Sequence, residues 1–292
     1  MDTLPWFDQP DAHALIDRMK SDGDVIGQKG LLRQWVEKGL FVIEDLISKP
    51  KLEALAKASS NLWSSPDPHD GLLFSSLNID GEVQLKTSHA EVVALPKETK
   101  DQSRKISHFR IGELHRYEEA ADSIFNDTGL KKICSMILGV PAFPKYSLTF
   151  ERGSQQRLHQ DMAVFHVVPL NHLIGVWIAL EDIDPDSGPL RYFPGSHKEG
   201  MYPGFPNYPH LNRRTSDPEL SAQYDEDVLD VSRKYNVAHF HGKAGDALFW
   251  HGQLIHGGSF IENPALTRRS FVVHFMSENA NKSGEITGTK NW

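Results

Sequence analysis

The stretch LHQDM, residues 158–162, places His159 and Asp161 two positions apart in a run that reads as a β-strand. Side chains at i and i+2 of a strand point to the same face, so an imidazole and a carboxylate stand side by side there. Two such groups hold one edge of a metal ion, and a third ligand has to come from elsewhere. The segment LIHGGS, residues 254–259, supplies His256 after a short apolar strand pattern and before two glycines. Two histidines and one carboxylate on one face of an ion, with the remaining positions open, suit a non-haem Fe(II) site.

Working outward from that stretch, the residues from Lys145 onward fall into short alternating or fully apolar runs broken by Gly, Pro, Asn and Asp. YSLTFE, LIGVWIALE, PLRYFP, DALFWH and RRSFVVHFM are the clearest of them. Many short strands with turn signals between them predict a sandwich or barrel. The rhythm breaks between Gly195 and Asn236, where Pro203, Pro206 and Pro209 alternate with Tyr202, Phe205 and Tyr208 ahead of an acidic, helical pattern around Asp225 to Arg233. A long connection inside a compact β domain is often an active-site cover. Residues 198–236 are therefore a candidate lid, with a plain surface insertion as the alternative.

Upstream, Leu31, Leu32, Trp35 and Val36 are spaced for an amphipathic helix closing at Gly39, LFVIED reads as a buried strand, and Ser48 with Pro50 starts a second helix carrying Leu52, Leu55, Ala56 and Leu62 inward. Residues 64–105 read as loops with one or two edge strands, and residues 117–139 as helical up to Gly139. Within SHFRIGELHRY, Arg110 and His115 are placed to reach a pocket if they are not solvated surface residues. The expectation is a single domain over residues 1–292: mostly helical support over 1–139, a β core over 140–276 and a polar tail over 277–292.

Composition narrows the function. A hydrophobic fraction of 39% and a charged fraction of 24% are ordinary for a globular protein. A net charge of -8 disfavours a general nucleic-acid or anionic-membrane binder. The single cysteine, Cys134, rules out an internal disulfide and points to a reducing compartment. With no run of about 20 apolar residues and no basic-then-apolar leader, the chain is expected to be soluble and cytoplasmic, with a small-molecule partner and no nucleic acid or membrane. Its oligomeric state is not legible.

Taken as an ordered set, LHQD, then Trp177 in GVWIALEDI, then GPLRYFPGSHK, GDALFWHGQLIHGGS and RRSFVVHF, the motifs resemble the phytanoyl-CoA dioxygenase family of Fe(II)/2-oxoglutarate oxygenases. The resemblance covers residues from about 140 to 276 and, more faintly, GLFVIEDLISKPKLEAL. It implies an α+β fold whose core is a double-stranded β-helix, the cupin-like jelly roll, with flanking helices. It also implies His159, Asp161 and His256 as metal ligands for Fe(II), Arg268 as the anchor of the 2-oxoglutarate far carboxylate, and Gln160 and Trp177 in the cosubstrate pocket, with dioxygen as second cosubstrate. Some relatives carry a serine two residues after the last histidine ligand; this chain has Gly258 there and Ser259 next, which leaves a hydroxyl contact to the cosubstrate open. Halogenating relatives replace the carboxylate with a small residue. Asp161 is retained, so hydroxylation or another oxidation without halide is expected.

Rival assignments stand beside these. His251 ends a strand as His256 does, and Arg269 neighbours Arg268, although two successive strand residues face opposite ways and only one reaches a pocket. His239 and His241 share a face and suggest a second metal or a substrate-facing pair. His197 and Asp246 read as turn residues. Phe165, His166, Arg157 and Lys145 lie close in sequence to the ligand stretch and are candidates for substrate contact, with ordinary strand and loop roles as the alternative. The expected reaction is hydroxylation of an unactivated C–H bond of a small metabolite with release of succinate and carbon dioxide; the alternative is a cupin-like metal-binding module without oxygenase activity.

Overall fold

Apolar runs long enough to be buried on both faces require cover on both sides, and that requirement organises the molecule. The structure is a computed structural model, and the residues it describes are 4–19, 25–165, 167–205, 211, 216–278 and 280. Helices α1 (Ala12–Arg18) and α2 (Val25–Lys38) precede strand β1 (Leu40–Ile43), and α3 (Lys49–Asn61) follows it. Then come β2 (Leu73–Ser75), β3 (Leu77–Ile79), β4 (Glu82–Gln84), β5 (Thr87–Ser88), α4 (His89–Ala94) and α5 (Lys97–Ile106). Strand β6 (Arg110–Gly112) and helices α6 (Glu119–Phe125) and α7 (Thr128–Leu138) lead to β7 (Ala142–Phe150). The remainder is α8 (Asp161–Val164), β8 (Leu173–Ala179), β9 (Leu190–Tyr192), α9 (Pro218–Ser232), β10 (Ala238–His239), β11 (Ala247–His251), β12 (His256–Gly258) and β13 (Ser270–Ser277).

Eight strands form one antiparallel sheet in the order β1-β11-β8-β13-β7-β6-β2-β5, and β10-β9-β12 form a smaller one. Strand alternation divides each central strand between two cores. Ile174, Val176 and Ile178 of β8, with Phe271, Val273 and Phe275 of β13, pack against helix residues such as Leu52, Leu55, Leu130 and Ile137. Trp177, Leu248, Trp250 and Val272 face the other way and meet Leu190 and Tyr192 of the small sheet and the adjoining Phe240. Helices thus cover one face of the large sheet, and the small sheet covers the other.

Several sequence expectations are corrected here. LHQDM is not a continuous strand: His159 makes an isolated bridge to His256, and Asp161 opens the one-turn helix α8. Residues 64–105 hold four short strands and two helices, because Ser88 closes a capping box with Glu91 that starts α4 where composition alone suggested a loop. The helical stretch 117–139 is two helices, interrupted where Asp127 caps α7. Within the candidate lid, α9 begins at Pro218, earlier than its acidic pattern suggested, with Asp217 as its N-cap. Residues 206–210 and 212–215 of that segment, and 279 and 281–292 of the expected tail, lie outside the described residues. Cys134 is buried among the helices, and no described helix is long and apolar enough to cross a membrane.

Candidate metal centre

The isolated bridge is what brings the ligand stretch to the small sheet. His159 and His256 sit directly opposite each other, His159 N donating to His256 O at 2.9 Å and His256 N to His159 O at 3.1 Å, which sets the two rings 4.4 Å apart. The glycines after His256 make that approach possible: a Cβ on Gly258 would lie 2.5 Å from the Gln155 backbone nitrogen. Gln160 is extended (φ -112°, ψ 131°), so Asp161 returns to the His159 side although it already belongs to the next helix. Asp161 Oδ1 lies 3.6 Å from His159 Nε2 and 3.7 Å from His256 Nε2. One donor atom from each of the three buried residues falls within 4.8 Å of the others.

The surroundings prepare these donors. His159 Nδ1 is 2.8 Å from the Arg157 carbonyl and His256 Nδ1 is 2.9 Å from that of Leu254. A carbonyl only accepts, so each Nδ1 carries the hydrogen and each Nε2 is left as the lone-pair nitrogen, as metal-binding histidines require. The other carboxylate oxygen, Asp161 Oδ2, accepts from Trp250 Nε1 at 2.8 Å and from His274 Nε2 at 3.1 Å, so Oδ1 is the oxygen presented to the cluster. Burial works against ionisation of Asp161, but His256, His274 and His159 outweigh it and hold the carboxyl well below the usual range. Burial pushes His256 down to about 4, so it is a neutral ligand at physiological pH. Two imidazoles and one carboxylate on one side form the donor set of a facial Fe(II) site.

Arg268 shares the chamber lined by these ligands. It is buried, stacked between Trp177 (5.5 Å) and Phe150 (5.7 Å), with Nη1 donating to the Gly188 carbonyl at 3.2 Å and Nε lacking a partner. Burial lowers its pKa to about 10, which leaves it charged at neutral pH. A buried guanidinium with an unused donor and no carboxylate in salt-bridge range among the described residues is the cradle of an anion. Ser270, two residues on and the first residue of β13, also has a buried hydroxyl without a partner, although it is not among the described chamber-lining residues. Sequence reasoning missed Ser270. It also missed the paired hold of Trp250 and His274 on Asp161, for which no local signal exists.

Of the other named residues, Trp177 lines the chamber with Arg268. Gln160 does not: alternation turns it away, and its Nε2 donates to the carbonyls of Gly200 (2.7 Å) and Gln253 (3.0 Å). Ser259 lies just past β12 with a buried, unpartnered hydroxyl and is not among the described chamber-lining residues. Phe165 is core, its ring 4.3 Å from His274, which it braces. Lys145 is the extra residue of a bulge in β7, since His274 pairs with Tyr146 and Phe275 with Pro144, and its side chain is exposed. Arg157 is ion-paired to Asp225 at 2.8 Å and lines an outer cavity that also reaches His159. His166 lies outside the described residues. His251 faces the helix side, 3.4 Å from Asp8, and Arg269 is turned outward, 3.7 Å from Glu181. His239 and His241 are exposed and join no metal-binding cluster among the described residues.

The chain is 26% identical over 292 residues to phytanoyl-CoA dioxygenase domain-containing protein 1 of Danio rerio, covering 89% of this chain and 92% of that protein. Among solved structures it is similar to the epimerase SnoN in complex with Fe3+, alpha ketoglutarate and nogalamycin RO, with a TM-score of 0.62 and 14% identity over 88% of this chain and 86% of that one. It is also similar to EctD from S. alaskensis with 2-oxoglutarate and 5-hydroxyectoine, with a TM-score of 0.60 and 16% identity over 90% of this chain and 80% of that one. At such identities the structural likeness speaks to the fold. The family model described as phytanoyl-CoA dioxygenase (PhyH) matches residues 35–270, and with that extent of match the chain belongs to the phytanoyl-CoA dioxygenase family.

Proposed function

We propose that this protein is an Fe(II)- and 2-oxoglutarate-dependent oxygenase that hydroxylates an unactivated C–H bond of a small molecule. The observation that carries the reading is the buried Arg268 in one chamber with His159, Asp161 and His256. The facing sheets are read as a jelly roll, with residues 140–276 carrying the chemistry and the helices of 1–139 supporting them in a single domain. The structural neighbours SnoN, in complex with Fe3+ and alpha ketoglutarate, and EctD, with 2-oxoglutarate, support the cofactor assignment.

Bound iron with 2-oxoglutarate supplies dioxygen activation coupled to decarboxylation of the keto acid to succinate. The protein's part is to bind, orient and exclude. His159 and His256 present Nε2, and Asp161 presents Oδ1 because Trp250 and His274 occupy Oδ2. Arg268, stacked on Trp177 and Phe150, would hold the far carboxylate of the cosubstrate, and the two rings would shield that ion pair from water. Helix α9, within the candidate lid 198–236, is docked on the ligand segment: the buried Tyr224 hydroxyl accepts from Gln160 N at 2.9 Å, and Asp225 holds Arg157.

Replacing Arg268 by Gln tests this. Losing a buried charge pair costs at least about 2 kcal/mol, so the KM for 2-oxoglutarate rises about 30-fold or more, while Mn(II), titrated as an iron substitute, binds as before. A metal-binding module without oxygenase activity predicts no 2-oxoglutarate binding in either protein. Failure of the parent protein to form succinate from 2-oxoglutarate with Fe(II) across a broad substrate panel overturns the assignment.

A further inference from the structure

Strand β11 ends at His251 and β12 begins at His256, so one short turn joins Trp250, which holds Asp161 Oδ2, to the last histidine of the ligand set. That turn also grips the ligand stretch twice. Met162 N donates to the Gly252 carbonyl at 2.9 Å, and Gln160 Nε2 donates to the Gln253 carbonyl at 3.0 Å. Gln160 and Met162 are the two neighbours of Asp161 in the chain. Whatever fixes the turn therefore fixes Trp250, His256 and the backbone on either side of Asp161 together.

A closed ring of hydrogen bonds fixes it. Gln253 N donates to His251 Nδ1 at 3.0 Å. A backbone N–H only donates, so Nδ1 carries the lone pair and Nε2 the hydrogen. His251 Nε2 is directed at Asp8 Oδ2 at 3.4 Å, and the same oxygen accepts from Asn171 Nδ2 at 2.7 Å. Asn171 Oδ1 accepts from Gln253 Nε2, which closes the ring. His251, Asn171 and Gln253 are buried, where a polar group left without its partner costs about 1–3 kcal/mol. The ring is thereby held to one arrangement. Its distant member is Asp8, 243 residues upstream of His251, in the single turn Trp6–Asp8. That turn has a second anchor apart from the ring, Trp6 Nε1 donating to the Ile137 carbonyl at 2.8 Å.

We propose that Asp8 is a positioning residue of the metal centre: by ordering His251, Asn171 and Gln253 it fixes the turn between Trp250 and His256, and with it the bearing of Asp161 and His256 on a common metal ion. The inference rests on the reading of His159, Asp161 and His256 as ligands. Asp8 acts through the ring and the turn, not by contact with a ligand. A direct partner of a ligand is worth about 10–100-fold in metal affinity. Asp8 stands further out, so the loss expected on removing its carboxylate is smaller, about 3- to 10-fold.

The test measures Mn(II) affinity by calorimetry and the visible spectrum of the Co(II)-substituted full chain. Asp8→Ala is expected to raise the Mn(II) dissociation constant about 3- to 10-fold and to shift the Co(II) spectrum. Gln253→Leu breaks the same ring at another member and is expected to do the same. Asp8→Asn keeps an oxygen that can accept from both Asn171 and His251, and is expected to return both readouts to about the parent values. Trp6→Phe removes the separate anchor of the N-terminal turn, and is expected to lower the melting temperature while leaving both readouts unchanged. Parent-like Mn(II) affinity and Co(II) spectrum in Asp8→Ala or in Gln253→Leu, an Asp8→Asn protein as impaired as Asp8→Ala, or an equal loss in Trp6→Phe overturns the proposal. His159→Ala separates it from the ligand assignment. Unchanged Mn(II) binding in that variant sinks the assignment and the proposal with it, whereas lost binding there beside a silent Asp8→Ala sinks the proposal alone.

Discussion

Replacing Trp250 by Phe should loosen the metal centre without touching a ligand. Trp250 on β11 pairs with Gly175 on β8, and Gly175 pairs on its other side with His274 on β13. The three residues form one row across the sheet, and the two ring-bearing members reach past the glycine to the same oxygen, Asp161 Oδ2, at 2.8 and 3.1 Å. Glycine is required in the middle, since a Cβ there would lie 2.1 Å from Trp250 Cε2. Trp250→Phe keeps an aromatic ring in the row and removes the N–H. A hydrogen bond to a buried charge contributes about 1.5–3 kcal/mol, and outer-shell partners of this kind are worth about 10–100-fold in metal affinity. The Mn(II) dissociation constant, measured by calorimetry, should rise within that range. The visible spectrum of the Co(II)-substituted protein should also change, because Oδ2 is then held by His274 alone and turns more readily toward the metal. Gly175→Ala should act in the same direction by displacing the indole. Mn(II) affinity within about 3-fold of the parent in Trp250→Phe, with an unaltered Co(II) spectrum, would refute the argument that this pair aims Asp161.

Acid should destabilise the metal-free protein through histidines away from the ligands. Burial pushes His115 to about 4 and His197 to about 3. Each stays neutral in the fold while its unfolded counterpart protonates near 6.5, so the unfolded state binds more protons and stability falls as pH drops from about 6.5 toward 4. Thermal melting across that window should show the decline, and His115→Phe, which can keep the stack on Phe125 (3.5 Å), should flatten part of it; a melting temperature constant from pH 7 to 4.5 would contradict this. Asp246→Ala should cost roughly 2–3 kcal/mol in urea denaturation, because its carboxylate accepts from Asp45 N (3.0 Å) and Lys243 N (2.8 Å), and should leave Mn(II) affinity unchanged.

What was legible in the chain by itself was whatever short-range pattern encodes. The apolar runs of β8, β11 and β13, the helix stops at Gly39 and Gly139, and the ordered motifs around His159, Asp161, His256 and Arg268 are all local features, and an ordered set of motifs carried the family. Tertiary structure decided the rest, because the deciding contacts join residues far apart in sequence. Whether Gln160 faces the cluster depends on Gly200 and Gln253, not on its neighbours. Which oxygen of Asp161 is presented depends on Trp250 and His274, about 90 and 110 residues downstream. The outer cavity needs a wall from the β3–β4 and β6 region that composition read mostly as loop, and only the pairing of β6 with β7 carries Arg110 to the side of the sheet where the ligands stand. Alternation along a strand tells which residues share a face; only the partner strand tells what that face looks at.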